Sequence, residues 1–226
     1  MVEFPSITYG NPQHEILIFL AGFPDNQICG FEPLINELKE SYYCISLCLP
    51  GLETMDDDYY NRYRLWHYDF DELDDILYNT INKYIPYNSN KTFTFIIHDW
   101  GSVVGMRYQN KYPKNISKLI IVDVGIVYIP EVRYIFHFVL YQLTFAFSYF
   151  VSQLVNWYLG NVIFKIFLLI LYKCRFLHPL PYDTIHRSFQ DINVNMCYLY
   201  FYAYKHFLTG SFVMPDFPDC PILFMV

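Results

Sequence analysis

Alanine is nearly missing from this chain: three residues of 226 (Ala21, Ala146, Ala203), against 23 tyrosines and 21 phenylalanines. Such an imbalance looks like a coding-composition bias, so individual aromatic residues carry little information. Charge is scarce as well. Asp, Glu, Lys and Arg make up 16%, the 15 basic residues form no run or stripe, and the net charge is −7. That excludes the electrostatic footprint of a nucleic-acid binder. The six cysteines (Cys29, Cys44, Cys48, Cys174, Cys197, Cys220) include no Cys-x-x-Cys pair and no histidine at zinc spacing. They read as buried thiols in a reducing compartment, with no metal or cofactor expected. The start, Met1-Val-Glu-Phe-Pro, lacks a basic stretch followed by an apolar run, so a cytoplasmic protein is expected. What the chain does have is apolar surface, 54% of its residues, enough to require a packed core or a membrane.

From Glu15 to Val122 short apolar runs alternate with longer amphipathic ones. Residues 16–20, 43–49, 92–97 and 119–122 read as strands, and 31–40, 70–84 and 102–112 as helices. In the second helix Phe70, Leu73, Ile76, Leu77, Ile81 and Tyr84 share one face. Strands that are apolar on both faces and separated by helices imply an α/β doubly wound, mostly parallel sheet, with ligands bound at the carboxyl ends of its strands. The acidic cluster Asp69, Asp71, Glu72, Asp74 and Asp75 lacks the alternation and glycine of a calcium loop and sits where carboxylates oppose a helix dipole.

The most informative stretch is Thr92-Phe-Thr-Phe-Ile-Ile-His-Asp-Trp-Gly-Ser102. A buried strand runs into His98-Asp99-Trp100-Gly101 and then a helix, which puts Asp99 on a tight turn at the sheet's carboxyl edge. The helix start would aim its free N–H groups, Trp100 among them, at developing negative charge. A second strand, Ile16 to Leu20, enters Ala21-Gly-Phe-Pro-Asp25, where the Phe23 N–H could serve as the other donor.

Together these stretches resemble the α/β-hydrolase fold, and within it the epoxide hydrolase and haloalkane dehalogenase branch, whose signatures are His-Gly-Phe-Pro and His-Asp-Trp-Gly. The likeness spans most of the chain. Arg107 and Tyr112-Pro113 match a recurrent feature of the helix after the elbow. The resemblance implies an Asp99 nucleophile that attacks an electrophilic carbon of a small apolar substrate, such as an epoxide. The resulting alkyl ester is hydrolysed by water activated by a His–acid pair. Phe23 and Trp100 would supply the oxyanion N–H groups. Asp123 stands where some dehalogenases carry the supporting acid; its other reading is a strand-end residue capping the next turn. Tyr141, Tyr182, Tyr198 and Tyr200 lie where the branch's lid tyrosines do, and none stands out. The two arginines that bind fluoroacetate in the branch are replaced by Trp100 and Val103, so a small carboxylate substrate is not implied.

The sequence departs from the pattern at four places. Ala21 replaces the motif histidine, Ile97 stands two residues before the nucleophile where a small residue is usual, and Leu49-Pro-Gly-Leu-Glu53 lacks the Gly-x-Gly-x-Ser turn. No histidine follows a final strand: the seven are His14, His67, His98, His137, His178, His186 and His206. The expected organisation is a core in residues 1–126, an apolar helical lid in 127–217 inserted after the family's sixth strand, and the start of a returning core strand in 218–226. This describes either a C-terminally truncated hydrolase or a catalytically inactive relative acting as a membrane-associated binding protein. The lid invites the second reading, because 134–164 contain no charged residue. Along that helix His137, Tyr141, Thr144, Ser148 and Ser152 form a weakly polar stripe, expected to face a substrate cavity or solvent. Contact with a membrane surface through the lid is the alternative to a transmembrane span.

Overall fold

The computed structural model describes residues 2–53, 65–87, 89–122, 132–173, 191–211, 216 and 220–225, with the side chains of 132–137 and 172 set aside. The chain divides into two compact units: Met1–Glu53 with Phe70–Ile126 and Met214–Val226, and Thr54–Asp69 with Val127–Val213.

The first unit is built on strands β1 (Ser6–Tyr9), β2 (Glu15–Leu20), β3 (Tyr42–Leu47), β4 (Phe93–His98), β5 (Ile116–Val122) and β6 (Ile222–Met225). Its helices are α1 (Glu32–Leu38), α2 (Phe70–Tyr84) and α3 (Trp100–Lys111). The strands form one sheet in the order β1-β3-β2-β4-β5-β6. Only β1, pairing with β3, runs antiparallel. β2 and β4 lie at the centre. Ile16–Leu20 and Phe93–Ile97 are buried throughout, as expected of a parallel sheet covered on both faces. The antiparallel edge β1 was not apparent in the sequence, because Ser-Ile-Thr-Tyr is short and mostly half-buried.

The order reverses at β2. From there the chain steps through α1 to β3 on one side, then crosses through α2 to β4 on the other. The carboxyl ends of β2 and β4 are therefore neighbours at a topological switch point, where open α/β sheets form their crevice. Both motif-bearing turns, Ala21–Asp25 and His98–Gly101, leave from those ends.

The second unit contains α4 (Val132–Leu154), α5 (Trp157–Lys173), a 3-10 turn (Val194–Cys197) and α6 (Tyr198–Thr209). Asn156 accepts hydrogen bonds from the amides of Tyr158 (2.8 Å) and Leu159 (3.3 Å), starting α5 directly after α4. Trp66 to Asp69 are tied into this unit by side chains. The Trp66 amide donates to Gln153 (3.0 Å), Tyr202 donates to the Trp66 carbonyl (2.8 Å), and Asp69 pairs with Lys205 (3.0 Å) and His206 (2.5 Å). Among the described residues no helix is long and apolar enough to cross a membrane.

The polar stripe of α4 is divided, with Tyr141 and Thr144 half-buried. Ser148 and Ser152 are buried, not turned to solvent. Their hydroxyls donate to backbone carbonyls of their own helix, Ser148 to Thr144 (2.7 Å) and Ser152 to Tyr149 (2.6 Å). That leaves small surfaces against which α5 packs closely: a Cβ at Gly160 would lie 2.5 Å from Ser152 Cβ. The buried face of α4 thus combines these serines with Phe145, Tyr149 and Val151, while other large apolar side chains of the helix are exposed.

Candidate active site

Asp99 directly follows β4 and is the N-cap residue of α3, with φ 51° and ψ −128°. An L-residue at positive φ is strained, and such strain persists only where the surroundings enforce it. Here a central buried strand and a helix starting at Trp100 do so. The Asp99 carbonyl accepts from the Ser102 amide (2.8 Å), closing the turn.

From the neighbouring strand end, the Phe23 amide donates to Asp99 Oδ2 at 2.6 Å. The Trp100 N–H is a second backbone donor to the carboxylate. Two glycines permit this approach. A Cβ at Gly22 would collide with Asp99 Oδ2 and the Trp100 nitrogen, and one at Gly101 with the Leu20 carbonyl. The donor turn is held by the Asp25 amide on the Gly22 carbonyl (2.7 Å) and contains a cis Phe23–Pro24 peptide.

These contacts act against burial. Desolvation raises the Asp99 carboxyl from its ordinary value near 3.8 to about 6, while hydrogen bonds from Trp100 and Phe23 and the nearby His98 favour the charged form. The Asp25 carboxylate works with burial, as a like charge. Asp25, itself buried, is the site residue that the sequence did not single out. Its influence on Asp99 depends on the β2–β4 neighbourhood and not on any local pattern.

Two of the departures are accommodated. Ile97 is fully buried, and a Cβ at Gly105 would stand 2.7 Å from its Cγ2, so the missing side chain on α3 makes room for the bulky one on β4. Ala21, in place of the motif histidine, is buried in a cluster with Phe19, Phe31 and Ile35; a Cβ at Gly30 would lie 2.6 Å from its own. The loop thus closes over the vacated volume.

The structure brings Asp99, Phe23 and Trp100 together; Asp123 lies outside the described residues. Of the lid tyrosines, Tyr198 and Tyr200 are buried in the second unit, Tyr141 is half-buried, and Tyr182 lies outside the described residues. Among the described histidines, His98 precedes Asp99 and sets its ring edge against Phe31 at 6.3 Å. His14 lies just before β2, at the opposite end of the parallel strands. His67 and His206 belong to the second unit. Four of the five cluster carboxylates are engaged in ion pairs: Arg107 holds Asp74 (2.8 Å) and Asp71 (2.6 Å), Lys111 holds Asp75 (3.0 Å), and Asp69 is engaged as above.

No family model matches the chain. A curated relative, the cis-3-alkyl-4-alkyloxetan-2-one decarboxylase of Shewanella oneidensis, is 29% identical over 108 residues, 46% of this chain and 30% of that protein. The match thus spans under a third of the relative. Among solved structures, the epoxide hydrolase of Bacillus megaterium bound to its product superposes with a TM-score of 0.63 at 18% identity, covering 99% of this chain and 80% of that one. A carboxylesterase of Nitrososphaera gargenis gives 0.55 at 13%, covering 97% and 74%. The chain has the α/β-hydrolase fold. Its structural neighbours include epoxide hydrolases.

Proposed function

We propose that this chain carries the nucleophile of a hydrolase that opens a small, apolar, strained oxygen ring, with Asp99 attacking a ring carbon to form an alkyl ester as the carbon–oxygen bond of the ring breaks. The reading rests on the Asp99 turn: a partly buried carboxylate on a strained elbow, with the backbone N–H groups of Phe23 and Trp100 donating to it. Phe23 holds Oδ2 at 2.6 Å, and the attack is assigned to Oδ1. In the ester, the held oxygen becomes the carbonyl oxygen, and the same two N–H groups would stabilise the oxyanion when water adds. The substrate class draws on the neighbours. One is an epoxide hydrolase, and the curated relative is named for an oxetan-2-one; both rings are electrophilic and relieve strain on opening.

Hydrolysis of the ester needs a base, and the described residues of the first unit offer no histidine in the family's place. Ester formation is accordingly the step assigned to these residues. Asp123 remains the candidate acid, supported by its place after β5. A single-turnover assay with an aryl epoxide tests the proposal. Wild-type protein should consume about one equivalent of epoxide, and Asp99→Asn should consume none. Equal consumption by both proteins would overturn it.

A further inference from the structure

The second unit holds a row of hydrogen-bonded side chains, Asp69, His206 and Ser211, that the chemistry assigned to Asp99 does not use. Asp69 Oδ1 meets His206 Nε2 at 2.5 Å, and His206 Nδ1 lies 2.7 Å from Ser211 Oγ. Backbone and side chains fix each member. His206 stands in the last turn of α6, Gly210 ends that helix at φ 70°, and the Ser211 amide returns to the His206 carbonyl at 2.9 Å. Asp69 is held through its other oxygen, Oδ2, by Lys205 Nζ at 3.0 Å. Exposure falls along the row: Ser211 is exposed, whereas the side chains of His206 and Asp69 keep 19% and 21%.

An ionised carboxylate only accepts hydrogen bonds, so the nitrogen facing Asp69 carries the hydrogen. A neutral His206 then turns the lone pair of Nδ1 to the Ser211 hydroxyl, which donates. Thr209 Oγ1, 2.8 Å from Ser211 Oγ and 2.9 Å from the Lys205 carbonyl, can turn its proton to the serine oxygen as charge develops there. A nucleophile bonded to a base that a third group orients is the arrangement of covalent catalysis, recognised by geometry and not by chain order. We propose that Ser211 is a second nucleophile of this chain, activated by His206 and positioned through Asp69, which accepts the acyl or phosphoryl group of small activated esters. Oγ bonds to the electrophilic carbon or phosphorus, its proton passes to His206 Nδ1, and the leaving group departs with the electrons of the bond that breaks. The imidazolium so formed lies beside the Asp69 carboxylate at the carboxyl end of α6, and both favour positive charge. The amides of Gly210 and Ser211 are engaged by the Phe207 and His206 carbonyls, so neither is left to hold an oxyanion. That restricts the electrophile to one with a good leaving group, such as an aryl ester or a phosphoryl fluoride. The site is independent of Asp99.

Labelling of the full chain by diisopropyl fluorophosphate, followed over time by peptide mass mapping, tests it. Ser211 should displace fluoride about 100-fold faster than Ser41, an exposed serine just beyond α1 with no histidine bonded to it among the described residues. His206→Gln should slow the Ser211 adduct by about the same factor while the far-ultraviolet circular dichroism stays that of the parent. In the nitrogen-15 spectrum neutral His206 should carry its hydrogen on Nε2, and Asp69→Asn should reduce the share of that tautomer and slow the labelling with it. Equal labelling of Ser211 and Ser41, a Ser211 rate unchanged by His206→Gln, or a wild-type His206 protonated at Nδ1 alone would overturn the proposal. Should His206→Gln fail to fold, the comparison of Ser211 with Ser41 in the wild type decides by itself.

Discussion

Burial of Asp99 sets its reactivity and its cost together. With the carboxyl raised to about 6, most of it is ionised at pH 7, and its nucleophilicity should fall as the pH drops through that value. The rate of Asp99 modification by an epoxide, measured from pH 4.5 to 8, should follow one titration with a midpoint near 6. Asp25→Asn should move that midpoint downward, because it removes the like charge that helps raise it. The stability linkage has the opposite sense to that of a salt-bridged aspartate. The folded state holds the proton more tightly than the unfolded chain, so this group's contribution declines as pH rises from near 3.8 to about 6 and is flat above. Asp99→Asn should consequently stabilise the protein at pH 7, by about 1–3 kcal/mol in urea unfolding, while removing the reaction. The turn at Asp99 and Trp100 was legible from the sequence because an elbow is local, whereas the approach of Phe23 to Asp99 spans 76 residues of chain. Asp25 and the Ile97–Gly105 fit were not legible, since each exists only once β2, β4 and α3 are packed.

At the scale of elements, α2 and α3 are joined by a half-buried ion pair that helps hold the elbow's helix. Arg107 reaches Asp74 with Nε (3.2 Å) and Nη2 (2.8 Å) and lies over the Phe70 ring at 5.5 Å, and Phe70 in turn contacts Trp100 at 6.2 Å. Arg107→Ala leaves the buried Asp74 without that partner and should cost about 2–4 kcal/mol of unfolding free energy, read from the urea midpoint at unchanged slope. Gly101→Ala forces a Cβ into the β2 backbone and should destabilise by about 1–3 kcal/mol while slowing Asp99 modification. Residues 70–84 were legible as a helix because a 3.6-residue apolar period matches the buried face that forms. For α4 the period gave the stripe but not its direction. In a helix apolar all round, which side faces inward is decided by the close approach of Gly160, and that is a property of the pair α4–α5.

For the whole molecule, the alternation of strands and helices in 15–122 was enough to give a parallel, doubly wound sheet, because each strand must be covered on both faces. The strand order that brings the turns after β2 and β4 side by side is a property of the folded sheet that the alternation alone does not state. The contribution of Trp66 to Asp69 to the second unit was invisible. Trp66 and His67 adopt positive φ (63° and 44°) and are held there by Gln153, Tyr149 and Tyr202, partners 82 to 136 residues distant. No local pattern announces such a segment. If the fold delivers a reactive carboxylate at Asp99, peptide mass mapping after exposure to an aryl epoxide at pH 7 will locate it. An adduct on the peptide containing Asp99, absent from Asp99→Asn, is the expected result. An unmodified Asp99 under saturating epoxide, or an adduct distributed over surface carboxylates equally in both proteins, would contradict it.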